Sequence, residues 1–147
     1  QLDLAAELDK PVVIHNRDAA AALMEILRRG GVPSNAPTPR GILHCFSGDL
    51  AMAREAIDLG YLISFAGSVT FKNAPRLHAL VAALPLESIV VETDAPYLSP
   101  LRGRRNEPAN VALVAAKIAD LKGIAISEVE ETTTHNSQLL FGLRATK

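Results

Sequence analysis

Pro11-Val12-Val13-Ile14-His15 is a proline-initiated, β-branched run that stops on a histidine. A short apolar run of this kind bounded by a turn former reads as a buried strand. The design returns as Gly41-Ile42-Leu43-His44, as Tyr61-Leu62-Ile63-Ser64-Phe65, and as Ser88-Ile89-Val90-Val91-Glu92, which delivers Thr93-Asp94. Helical spacing fills the gaps. Leu23, Ile26 and Leu27 predict a helix capped by Asn16 or Asp18 and ended by Gly30-Gly31. After a loop with Pro33, Pro37 and Pro39, Asp49 caps a second helix that runs to Leu59 and closes at Gly60. Asn73, with Pro75 just inside, opens a third that carries Leu77, Leu80, Val81 and Leu84.

Leu2, Leu4, Ala5 and Leu8 read as the tail of a helix before Pro11. Two helices finish the chain, one from about Ala109 to Lys122 and one opened by the capping-box pair Ser127 and Glu130. The strand interiors are almost continuously apolar, the pattern of a parallel sheet covered on both faces. Four βα units in succession predict an α/β fold. Composition narrows the rest. With 147 residues, 48% hydrophobic and 21% charged, the chain is too apolar to be disordered. No apolar run reaches about 18 residues, so no membrane helix is expected. The single cysteine, Cys45, fits a reducing, cytoplasmic compartment, and a net charge of −1 excludes a uniformly basic coat. The opening Gln1-Leu2-Asp3-Leu4 has neither a methionine nor a signal-type segment, which suggests the interior of a longer protein.

In parallel βα units every strand ends on one rim, where active sites assemble. His15 follows the first strand, His44 ends the second, and Asp94 lies just beyond the fourth. Imidazole nitrogen and carboxylate oxygen together suit a divalent cation such as zinc or manganese. Any one of the three alone reads equally as a structural hydrogen-bonder. Three at one rim favour a metal site.

Context sharpens this. Pro11-Val12-Val13-Ile14-His15-Asn16-Arg17, Gly41-Ile42-Leu43-His44-Cys45-Phe46-Ser47-Gly48 and Glu92-Thr93-Asp94-Ala95-Pro96-Tyr97-Leu98 together resemble the TatD family of metal-dependent deoxyribonucleases. Arg102-Gly103 through Asn106-Glu107-Pro108 is similar to that family's loop after its last strand. The resemblance implies residues 1–147 as one domain, the C-terminal part of a TIM-type (β/α)8 barrel with strands five to eight. It also implies His15, His44 and Asp94 as ligands of divalent metal (Zn, Mn or Mg), with Asp94 catalytic in helping to deprotonate water, and DNA as substrate. The family's His-x-His pair and its glutamate ligand have no counterpart here. None of His15, His44, His78 and His135 stands two residues from another. About half of the ligand set is therefore expected from this chain, and the rest from a missing N-terminal half-barrel.

The remaining polar residues have competing readings. Cys45, next to His44, is read as a small buried hydrophobe rather than a nucleophile. His78 and His135 are read as structural helix residues. Glu92, two residues before Asp94, points to the same side; it either faces the barrel interior, supporting a metal ligand or meeting substrate, or is buried against a basic partner. Arg102, with Arg104 and Arg105, forms either a solvated loop or a phosphate-binding fork. Ser47, Gly48 and Gly67 fall on rim loops. Two other functions compete with DNA hydrolysis: ester hydrolysis on aminoacyl-tRNA or nucleotides, and a non-catalytic half-barrel whose open edges are covered by a second copy. A small open-sheet binding domain without metal is the third.

Overall fold

The structure, a computed structural model, describes residues 1–30 and 38–143. Helix α1 (Leu2–Glu7) leads into β1 (Val12–His15), α2 (Ala20–Arg29), β2 (Gly41–His44), α3 (Leu50–Asp58) and β3 (Tyr61–Phe65). A short 3-10 turn at Gly67–Thr70 precedes α4 (Pro75–Ala83) and β4 (Ile89–Val91). Helices α5 (Val111–Lys122) and α6 (Ile126–Phe141) complete it. The four strands form one parallel sheet in the order β1-β2-β3-β4, and the fold is α/β as the sequence predicts. Among the described residues no helix is long and apolar enough to cross a membrane.

Alternation along the strands divides the sheet into two faces with different contents. One face carries Leu43, Tyr61, Ile63, Phe65 and Ile89 into the main core, with Leu27 of α2, Val81 of α4, Val114 and Ile118 of α5 and Val129 of α6. The other face carries Ile42, Leu62 and Val90, which meet Leu140 of α6 in a smaller cluster. Continuing the same parity, His15, His44, Ser64 and Glu92 stand on this second face, at the C-terminal ends of the strands. In register, His15 lies directly beside His44. Coverage of both faces is complete only at β3, where every residue is buried. On β1 half-buried and exposed positions alternate, and Val13, in the row with Ile42, is 61% exposed.

Local signals explain most boundaries, and three do not hold. Asp49 caps α3 as its sequence predicts, its carboxylate accepting from the Met52 N–H at 2.8 Å. Gly60 follows α3 with φ +85°, the left-handed turn that glycine adopts without penalty. By contrast, α2 starts after Ala19, beyond both Asn16 and Asp18, and neither caps it. Helix α4 starts after Ala74, one residue past Asn73, with Pro75 at its first position. Helix α6 starts after Ala125, so Ser127 falls inside the first turn and no capping box forms. The loop of Pro33 and Pro37, with Gly31, lies outside the described residues.

The turn at Gly67 connects the fold to the site. It presses so closely on the segment after β4 that a Cβ on Gly67 would stand 1.9 Å from the Leu98 carbonyl oxygen. Only glycine fits without moving that segment. Substituting Gly67→Ala is expected to cost about 1–3 kcal/mol, the range for forced overpacking. A urea unfolding series should show the midpoint fall with an unchanged slope.

Candidate metal centre

Each site residue sits where a strand gives way to a loop. His44 is the last residue of β2, and Cys45 after it turns sharply, with φ +46°. Asp94 lies three residues past the end of β4, with φ +56°. Left-handed backbone at a non-glycine residue costs of order 1 kcal/mol, so surrounding contacts must hold both turns in place.

Glu92 supplies much of that hold. One of its oxygens, Oε2, stands 2.6 Å from His44 Nδ1. The other, Oε1, accepts the Cys45 backbone N–H at 2.8 Å and the Ser64 hydroxyl. Ser64 is on β3 and only 1% exposed. A single carboxylate thus joins β2, β3 and the extension of β4 at one rim. An ionised carboxylate only accepts hydrogen bonds, so His44 Nδ1 must donate. The imidazole lone pair is thereby placed on Nε2.

That Nε2 stands 3.7 Å from Asp94 Oδ1. The separation is too long for a hydrogen bond and matches two donors that share one ion with bonds of about 2.0–2.2 Å. Among the described residues, one group of three holds its potential donor atoms within 4.8 Å of one another: His44, Glu92 and Asp94. It differs from the expected set of His15, His44 and Asp94. His15 lies alongside, its ring centroid 5.9 Å from that of His44, and belongs to the same cavity without entering this group. Glu92 is engaged through both oxygens by protein donors and does not line the cavity. It is turned onto a partner, the His44 imidazole, which it orients.

The cavity above these residues has a volume of about 1020 Å³. His15, His44 and Asp94 form part of its wall, and Arg17, Arg76 and Tyr97 another part. Arg102 stands on the exposed loop before Asn106 and is absent from that wall, as are Arg104 and Arg105. The two cavity arginines carry weak sequence signals. Arg17 sits two residues after His15, whereas Arg76 reads as an ordinary solvated position in the first turn of α4. Ser47 and Gly48 lie on the wall as rim-loop residues.

Cys45 departs from its expected burial: it lies past the strand end, half-buried, on the cavity wall. Burial first, then the charges of Asp94 and Glu92, push its thiol up to about 11. A thiol this basic is a poor nucleophile near neutrality. The same negative field favours a cation. His78 Nε2 donates to the Val69 carbonyl oxygen at 2.9 Å, and His135 is exposed on α6; both lie apart from the centre. A carbonyl oxygen only accepts, so His78 is the donor.

Comparison with known proteins places these features in a family. The family model described as TatD related DNase matches residues 1–142. The chain is 43% identical over 148 residues to the uncharacterized metal-dependent hydrolase YcfH of Escherichia coli K12, covering 99% of this chain and 54% of that protein. It is 42% identical to the uncharacterized metal-dependent hydrolase YabD of Bacillus subtilis, covering 96% and 54%. The crystal structure of YJJV, a TatD homologue from E. coli K12, superposes with a TM-score of 0.87 at 32% identity, over 97% of this chain and 54% of that one. The chain spans about half the length of the curated relatives it matches.

Two outcomes test this centre. Replacing Glu92→Gln keeps the shape but turns one acceptor into a donor, so a partner among His44, Cys45 and Ser64 is lost. Calorimetric Zn²⁺ or Mn²⁺ titration should show affinity about 10–100-fold weaker, the usual cost of losing a hydrogen-bonding partner of a metal-binding histidine. In chelator-treated protein, alkylation of Cys45 by iodoacetamide should be slow at pH 7.5. Its rate should climb until the pH passes about 11, as the thiolate forms. Rapid modification at neutral pH would contradict the electrostatics described here.

Proposed function

We propose a function on one premise: this chain belongs to the TatD related DNase family. The reading is a metal-dependent hydrolase that cleaves phosphodiester bonds in DNA. The sheet then forms the C-terminal arc of a (β/α)8 barrel, strands five to eight, and the activity belongs to the closed barrel. Two features support the arc. The strands run in sequential parallel order, and the second face exposes Val13 at the open side of β1. Further strands of the barrel, or a second copy, would continue the row of Val13, Ile42 and Leu62.

The observation that carries the reading is the pairing of His44 Nε2 with Asp94 Oδ1 at the cavity, with His44 Nδ1 occupied by Glu92. His44 and Asp94 fit a divalent cation by donor type and separation, and His15 is the neighbouring donor. When bound, such a cation supplies a lowered pKa for water and a polarised phosphoryl oxygen. Asp94 accepts the proton of the attacking water on its carboxylate, while Glu92 holds His44 in the tautomer the site needs. Arg17 and Arg76 line the cavity, and a guanidinium fork matches phosphate oxygens. Tyr97, on the same wall and 71% exposed, offers a ring on which a base can stack.

The test uses the full-length protein with Mn²⁺ and single-stranded DNA, and measures release of mononucleotides. Asp94→Asn is expected to lower kcat by about 10²-fold or more, the range for loss of a general base, with KM for DNA little changed. Cleavage of an aminoacyl ester by the parent protein, without release from DNA, would overturn DNA as the substrate.

A further inference from the structure

Asp94 itself raises a question of support. Among the described residues its carboxylate accepts no hydrogen bond, and its Oδ1 stands 3.7 Å from His44 Nε2. Its position therefore depends on its backbone, which is left-handed at φ +56°. Within the turn, only the Tyr97 N–H donating to the Asp94 carbonyl at 2.8 Å and the Ala95 N–H donating to Thr93 Oγ1 at 3.2 Å brace it. Two local bonds are weak support for a strained residue.

The stronger hold comes from Asn106, which is 3% exposed. Its Nδ2 donates to the Thr93 carbonyl at 2.7 Å and to the Tyr97 carbonyl at 2.6 Å. Its backbone N–H donates to the Pro96 carbonyl at 3.2 Å. The contacts fall on both sides of Asp94. Its Oδ1 accepts the Glu107 N–H at 3.0 Å and Asn110 Nδ2 at 2.9 Å, anchoring the side chain to the turn that opens α5. Both donors and the carbonyl oxygen are thus engaged, and a fully engaged buried amide has one orientation.

We propose that Asn106 is a positioning residue: its carboxamide clamps the Thr93–Tyr97 turn so that the Asp94 carboxylate stands against His44 Nε2. The proposal rests on the metal-centre reading above. Asn106 touches neither the cation's donors nor the substrate; it acts through the backbone of Asp94. Aspartate at 106 has the same shape but sets carboxylate oxygen against two carbonyl oxygens, so the turn loses its clamp.

The experiment is calorimetric Mn²⁺ titration of the full-length protein, with thermal unfolding of the same metal-free samples. Asn106→Asp is expected to weaken Mn²⁺ about 10–100-fold. Asn136→Asp is the control. Asn136 is also buried and also donates through Nδ2 to two carbonyls, Leu86 and Ile89, but at the opposite end of β4. It should lower thermal stability while leaving Mn²⁺ affinity within about twofold. Affinity unchanged in Asn106→Asp, or reduced as much in Asn136→Asp, overturns the clamp. If Asn106→Asp does not fold, Asn110→Ala removes one bond behind the clamp. It should weaken Mn²⁺ about threefold, the share of a single hydrogen bond, and no change overturns the proposal. His44→Ala separates the two readings. Parent-like affinity in that variant overturns the metal centre and the clamp with it, whereas lost affinity in His44→Ala with none lost in Asn106→Asp overturns the clamp alone.

Discussion

The Glu92 carboxylate is the constraint on which the rim depends. It accepts from His44, from the Cys45 backbone and from Ser64, so three strands end against one pair of oxygens. Burying a carboxylate is costly unless its lone pairs are filled, and here donors from two other strands fill them. In return, the left-handed turn at Cys45 is held and the His44 ring can present only Nε2 to the cavity. Stability and chemistry are set by one group: without it the turn would relax and the tautomer would be free.

The second dependence is on Asp94, whose carboxylate accepts no hydrogen bond among the described residues. Its turn is gripped from behind by Asn106 and pressed from below by Gly67, whose missing side chain leaves room for the Leu98 carbonyl. The two ends of the proposed metal pair are therefore supported differently. His44 is oriented through its ring, and Asp94 through its backbone.

Much of this was legible in the residues, and the losses have physical causes. An apolar run ending in a polar residue marks a strand and its rim, so β1 to β4 and the places of His15, His44 and Asp94 were readable from local pattern. Asp49 was readable because a cap is a contact over three residues. The partner of Glu92 was not, because Ser64 and Cys45 reach it only after three strands align. Caps at Asn73 and Ser127 fall short by one or two positions, since Pro75 takes the first position of α4 behind Ala74 and α6 begins behind Ala125. Arg102 stood out as part of a dense basic cluster, yet chain density says nothing of which wall a residue faces. Arg17 and Arg76, scattered in sequence, are the ones brought to the cavity.

The division of the sheet into two faces has a consequence for how this protein can change. Leu43 enters the core and His44 the rim because they are neighbours on one strand with a period of two. A slip of one residue in β2 would drive His44 into the core and turn Leu43 to the cavity. A one-residue slip therefore cannot keep the sheet packed while turning His44 from the rim, so the packing that folds the chain also fixes the side on which His44 is presented.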